Sequence, residues 1–241
     1  MESAILGSIL SALATGLGAI PILFFKSLSH KWRDVTLAFT AGVMVAACTF
    51  SLIPEALNQS NIYVISIGLL MGTFVLNQIE KTVPHIDVEQ HNRIKIDGKT
   101  YLIIAALCIH NIPEGLSVGV SYASSTEELG SLIALAIGLQ NMPEGLLVSL
   151  FLVNQNVGKW AALGIATLTG AIEIVAALFG YLLATVIDGL VPFGLAFAAG
   201  AMLFIVYKEL IPESHGDGYE RSSTYSFVIG LIGMLYLTHI F

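Results

Sequence analysis

Charge is scarce in this sequence. Of its 241 residues only 11% are Asp, Glu, Lys or Arg, against 56% hydrophobic, and the mean hydropathy is +0.83. So small a charged share excludes a soluble domain of ordinary composition, in which about a quarter of residues are charged. Basic residues are fewer than acidic ones. The formal net charge of −7 argues against a nucleic-acid partner, which would need a basic patch. Cysteine is almost missing: Cys48 and Cys108 both fall in apolar stretches and show no C-x-x-C spacing, so neither a disulfide framework nor a structural zinc cluster is indicated. The H-E-x-x-H signature of zinc proteases is absent. The first apolar stretch also lacks the basic flank of a signal peptide, having only Glu2 before it, and is long for such a core. It is expected to be a spanning helix.

What the sequence has instead is long uncharged runs. Residues 3–25, 35–54, 56–79, 189–207 and 222–241 carry no charge, and 100–126, 129–158 and 160–187 are each interrupted by a single acid, Glu114, Glu144 and Glu173 in turn. A bilayer core of about 30 Å needs roughly 20 apolar residues in a helix. The expectation is an all-α integral membrane protein, a single domain over 1–241, with eight spans at about 4–25, 35–57, 62–80, 100–122, 128–152, 160–186, 190–211 and 222–241. The longest connection is 81–99. All ten Lys and Arg residues sort into alternate connections: Lys26, Lys31 and Arg33; Lys81, Arg93, Lys95 and Lys99; Lys159; Lys208 and Arg221. The positive-inside rule places those connections in the cytoplasm and both termini outside.

Two internal echoes relate spans that run in opposite directions. Ala41-Gly42-x-Met44 precedes Ile53-Pro54-Glu55 at the spacing that separates Ala199-Gly200-x-Met202 from Ile211-Pro212-Glu213. His110-Asn-Ile-Pro-Glu-Gly115 in span four is matched by Gln140-Asn-Met-Pro-Glu-Gly145 in span five. Opposed repeats of this kind place a substrate site near the bilayer midplane, at broken helices.

Glu114, Glu144 and Glu173 each sit near the centre of a span. A carboxylate there costs about 2.5–3.5 kcal/mol on insertion scales, so something must offset its burial. A divalent cation would do so; so would protonation of each acid in isolation, which three acids at one depth and a duplicated motif disfavour. His110 with Glu114, and Gln140 with Glu144, are spaced i, i+4 on one helical face, so two helices present four donors to one ion. Asn111 and Asn141 lie one residue round, about 100° away, and reach an adjacent position shared with Glu173. Pro113 and Pro143 remove backbone donors beside the site and kink both helices. One imidazole among oxygen donors suits zinc, iron or nickel better than magnesium or calcium. Two rival readings remain open here. A membrane-embedded metal hydrolase would lose hydrolysis on His110→Ala without any metal flux. A proton or monovalent-cation pathway through the three acids would survive that substitution.

At these residues the sequence resembles the Zrt/Irt-like (ZIP) family of zinc and iron permeases, in its GufA-type bacterial branch. The resemblance rests on His110-Asn-x-Pro-Glu-Gly and Gln140-Asn-x-Pro-Glu-Gly, supported by Ala-Gly-Val-Met44 and Glu173, and covers nearly the whole chain. It implies multi-pass placement in the plasma or inner membrane, uptake toward the cytoplasm, and a binuclear centre. His110, Glu114, Gln140 and Glu144 would form its primary site, with Met44 able to approach it. Asn111, Asn141 and Glu173 would form the second, with the shared glutamates. Zn2+ would be the transported substrate, with Cd2+, Fe2+ and Mn2+ as related cargo, and no prosthetic group is implied. Divalent metal ions and the lipid bilayer are the implied partners, together with pairing as a homodimer; spans one, four, five and six would move against the other four. The chain departs from the family in carrying Gln140 where many relatives have His, and Asn141 where some have Asp. The resemblance further implies that the 81–99 loop binds metal released inward through His85, Asp87, Glu89 and His91, the alternative being a merely solvated loop. Lys208, Glu209, Glu213 and His215 are expected at the cytoplasmic exit.

Overall fold

The computed structural model describes residues 1–25, 29–82, 96–126 and 128–241, apart from the side chains of 82 and 96–107. Helix is what the apolar composition dictates, because in lipid each backbone amide must find its partner within its own segment. Eight long helical segments follow in order: α1 (Glu2–Leu23, ending in a 3-10 turn), α2 (His30–Gln59), α3 (Ile62–Thr82), α4 (Ile96–Tyr122), α5 (Leu129–Asn154), α6 (Lys159–Val186), α7 (Leu190–Glu213) and α8 (Glu220–Ile240). Seven of them are long and apolar enough to cross a membrane; α4, of which only part has described side chains, runs for 27 residues. Its first turn lies ahead of the expected start at 100. No strand occurs among the described residues.

Short connections reverse the chain between several of the helices. Asn156, at φ 65°, turns the chain between α5 and α6, where the Val157 amide returns to the Leu152 carbonyl at 3.0 Å in the manner of a left-handed helix cap. Gly189, at φ 75°, does the same work ahead of α7, in a backbone region where only glycine is free of strain.

The two Ile-Pro-Glu segments share a local structure. Each follows a π-turn, Ala47–Leu52 in α2 and Val206–Leu210 in α7. A proline inside a helix removes one amide donor and presses on the carbonyl four residues earlier, and widening that turn relieves the clash. The packing of the same helices is matched as well. A Cβ added at Gly42 would lie 2.0 Å from the Phe227 carbonyl oxygen of α8, and one at Gly200 would lie 2.1 Å from that of Leu69 in α3. Conversely, Gly230 of α8 closes on the Phe39 oxygen at 2.3 Å, and Gly72 of α3 on the Phe197 oxygen at 2.0 Å. One sequence offset converts the α2–α8 contacts into the α7–α3 contacts. Small residues permit such backbone approach, which in membranes supplies the dispersion contact that holds helices together.

The helices form two sets. Within the first, α4 packs on α6, and α1 packs on both α5 and α6; within the second, α2 packs on α8, and α3 on α7. Contacts across the boundary, chiefly α4 with α7 and α2 with α5, are sparser. The main apolar cluster lies along that boundary and includes Met44, Ile133, Ile137, Leu195 and Met202.

Candidate functional site

The polar side chains at this boundary come from α4, α5, α6 and α1. The helical register of His110-Asn-Ile-Pro-Glu turns Asn111 and Glu114 inward, at 1% and 2% exposure, and the matching motif buries Gln140 and Asn141. Glu173 is fully buried on α6, and Glu144 and His110 are half-buried. Gly115 and Gly145 make this crowding possible: a Cβ at Gly115 would be 2.2 Å from the Glu173 carbonyl oxygen, and one at Gly145 would be 1.8 Å from that of Thr15.

Hydrogen bonds join the two motifs. The Gln140 amide donates to Glu114 Oε1 at 2.6 Å, which brings together two residues expected in a primary site. The Asn141 amide donates to Glu173 Oε2 at 2.7 Å and contacts the Ser11 carbonyl at 3.2 Å. Asn111 mirrors that second contact by donating to the Thr169 carbonyl at 2.8 Å. The Ser11 hydroxyl donates to the remaining Glu173 oxygen. Glu114, Glu144 and Glu173 are close enough for their charges to act on one another, and the His110 and Glu144 charges interact as well.

Several acceptors in this cluster have no protein donor. Glu114 Oε2, Glu144 Oε1, Gln140 Oε1 and Asn141 Oδ1 are all buried without a hydrogen-bond partner. Four such oxygens in one place cost free energy, since each has lost water without replacement. A cation is the chemical species that satisfies acceptors collectively. Among the described residues no three His, Cys, Asp or Glu side chains stand together as a ready-made metal cluster. That is consistent with a donor set in which two members are amides and the imidazole points elsewhere.

His110 is the residue whose surroundings differ most from the expectation. Its Nε2 pairs with Glu209 Oε2 at 3.0 Å, so the imidazole is turned toward the π-turn of α7. Glu209, expected only along the exit, thus touches the cluster directly. Lys208, its neighbour, pairs with Glu80 of α3, and His215 bonds the Ile211 carbonyl through Nδ1 at 2.9 Å. Met44 is fully buried in the apolar cluster rather than bonded to the polar groups. His85, Asp87, Glu89 and His91 lie outside the described residues. Ser11 and Thr169 had no signal in the sequence, being hydroxyl residues in apolar helices without a motif.

A second polar cluster bridges the two helix sets at the far end of α2. Glu55 Oε1 accepts from the Ser124 hydroxyl at 2.8 Å, from the Thr126 hydroxyl at 2.7 Å and from the Gln59 amide.

Compared with known families, residues 87–240 match the model described as ZIP Zinc transporter. The chain belongs to the ZIP family. Over 96% of this ZIP chain it is 38% identical to the zinc transporter GufA of Myxococcus xanthus, covering 98% of that protein. It is 32% identical to the zinc transporter ZIPB of Bordetella bronchiseptica, over 97% of this chain and 80% of that one. The zinc transporter ZupT of Corynebacterium aurimucosum is 30% identical, over 94% and 92% of the two chains. This ZIP chain is therefore a membrane protein of a transporter family, and its polar cluster is to be read in that setting.

Proposed function

We propose that this protein carries a divalent transition-metal cation, zinc foremost, across the membrane into the cytoplasm. The observation that supports it most is the group of four partnerless buried oxygens, on Glu114, Gln140, Asn141 and Glu144, between two helices that repeat one motif. The names of the relatives supply the preference for zinc. In this reading α4 spans the membrane as well, making eight spans, and both termini face outside, which puts all the Lys and Arg residues in cytoplasmic connections. The least covered helices, α3 and α8, are where lipid, or a second copy in a dimer, would lie.

The cation would sit between His110, Glu114, Gln140 and Glu144, with a second position toward Asn111, Asn141 and Glu173. Burying it there exchanges its hydration shell for fixed carboxylate and amide oxygens, and its charge offsets the mutual repulsion of the acids. The mixed donor set favours release as well as capture, because it lacks the thiolates that hold soft metals permanently. His110 links entry and exit. While paired with Glu209 it points toward the cytoplasmic end of α7, and rotating back toward Glu144 would return it to the ion. The site is carried by α4, α5 and α6, within one helix set, so movement of that set against the other would change which side reaches it.

Uptake of radiolabelled zinc into proteoliposomes tests this directly, with Glu144→Ala alongside and cadmium, iron, manganese and magnesium as competitors. Saturable flux that the substitution abolishes and transition metals compete is expected. Well-folded protein that moves no divalent metal would overturn the proposal.

A further inference from the structure

Glu173 is set apart from the other two acids. Both of its carboxylate oxygens already accept hydrogen bonds, Oε1 from the Ser11 hydroxyl and Oε2 from the Asn141 amide at 2.7 Å. Glu114 and Glu144 each retain a buried oxygen with no donor. The residue responsible is Ser11, which is 1% exposed and stands on α1, a helix that contributes none of the expected ligands. Its hydroxyl binds Glu173, and its carbonyl receives the Asn141 amide at 3.2 Å, so one residue touches two of the three groups proposed for the second metal position.

The repeat makes this arrangement one-sided. The offset that relates Gly42 to Gly200 also relates Ser11 to Thr169, and Thr15 to Glu173. The backbone contacts of the pair agree: Asn141 bonds the Ser11 carbonyl, and Asn111 bonds the Thr169 carbonyl. Their hydroxyls do not. Thr169 Oγ1 donates to the Ala166 carbonyl of its own helix at 2.8 Å, and across from it the repeat carries Thr15 where the other half carries Glu173. A hydroxyl donor and a carboxylate therefore meet on one side of the cluster alone.

We propose that Ser11 sets the affinity of the second metal position by competing with the metal for the Glu173 carboxylate. The inference rests on the two-position reading given above. Hydrogen bonds to an ionised acceptor are stronger than neutral ones, the more so away from water. An ion approaching Glu173 must share Oε1 with the Ser11 donor, which weakens it as a ligand, or displace that hydroxyl, which then loses its buried partner. Where no such donor exists, as at Glu114 Oε2 and Glu144 Oε1, the ion displaces nothing. The first position is thereby made strong and the second weak, on a scaffold whose halves otherwise match.

Calorimetric titration of the purified protein with zinc, and with cadmium as a second probe, reads this out independently of transport. The wild type should show one strong and one weak step, and Glu173→Gln should lose the weak step. Ser11→Ala should tighten the weak step about tenfold, the equivalent of some 1.4 kcal/mol, and leave the strong step in place. Ser11→Thr, which keeps the hydroxyl, should resemble the wild type, and a gain in affinity cannot be produced by misfolding. An unchanged or weaker second step in Ser11→Ala would overturn the role of Ser11. A single step in every variant would overturn it too, by removing the second position while leaving the first. No binding by the wild type would overturn the carrier reading along with it.

Discussion

Gly145 offers the sharpest test of how the site is held. A Cβ placed there would stand 1.8 Å from the Thr15 carbonyl oxygen and 2.7 Å from its carbon, whereas ordinary contact begins at 3.4 Å. Relief in Gly145→Ala needs α1 and α5 to separate by about 1.5 Å, because a close-packed interior has no slack to absorb the methyl group locally. The atoms it meets are backbone, so no side-chain rotation relieves it. Such overpacking costs roughly 1–3 kcal/mol. The bond from Asn141 to the Ser11 carbonyl, already 3.2 Å long, would break on the same movement and remove about 1 kcal/mol more. The sum is about 2–4 kcal/mol, enough to lower the melting midpoint of the detergent-solubilised protein by several degrees and to depress zinc uptake together with it. Gly164→Ala and Gly233→Ala are the controls. A Cβ at either meets nothing within 4 Å, and the gain in helix propensity, up to about 1 kcal/mol, should leave both proteins as stable as the wild type or more so. The measurement is the fraction of monodisperse protein surviving a temperature series, beside radiolabelled uptake. If Gly145→Ala melts within about a degree of the wild type, the argument that α1 fixes α5 through this contact is refuted.

Two further outcomes are expected. Asn141→Asp removes the amide donor from Glu173 and sets a second negative charge beside it, so the metal-free protein should melt lower, zinc should restore it, and the second binding step should tighten; identical two-step titrations before and after would count against the assignment. Glu55→Ala deletes the acceptor shared by Ser124, Thr126 and Gln59, so amide hydrogen exchange in the α4–α5 connection should quicken while that in α8 stays as it was. Unchanged protection at 124–126 would show that the connection is held by something else.

Much of this site can be read from the residues alone, for a physical reason. An acid in the middle of an apolar helix is expensive enough to stand out, and the paired His-Asn-x-Pro-Glu-Gly and Gln-Asn-x-Pro-Glu-Gly segments carry their own geometry in the i, i+4 spacing. The bond between Gln140 and Glu114 and the bond between Asn141 and Glu173 join residues that this spacing brings to notice. Ser11 is illegible by the same logic, because a serine costs little in an apolar helix and has no motif. The turn of His110 toward Glu209 depends on where α7 lies against α4, which no local pattern encodes. Pro54 and Pro212 announce a disturbance in their helices, and each is absorbed as a wide turn just ahead of the proline.

The glycine contacts bear on stiffness. Each described glycine whose added Cβ would fall under 3 Å from a backbone atom of another helix lies against a helix of its own set, among them Gly115 and Gly119 on α6, Gly145 on α1, Gly42 on α8 and Gly72 on α7. Across the boundary the nearest approach of this kind is Gly194 to the side chain of Val120, at 3.1 Å. Interlocked backbones resist shear, since sliding one past another would drive main-chain atoms together, whereas a seam of methyl and methylene groups can slip from one staggered register to the next by rotamer changes. The chain is thus built as two backbone-interlocked slabs that meet along a side-chain seam, pinned where His110 pairs with Glu209 and where Glu55 holds the α4–α5 connection.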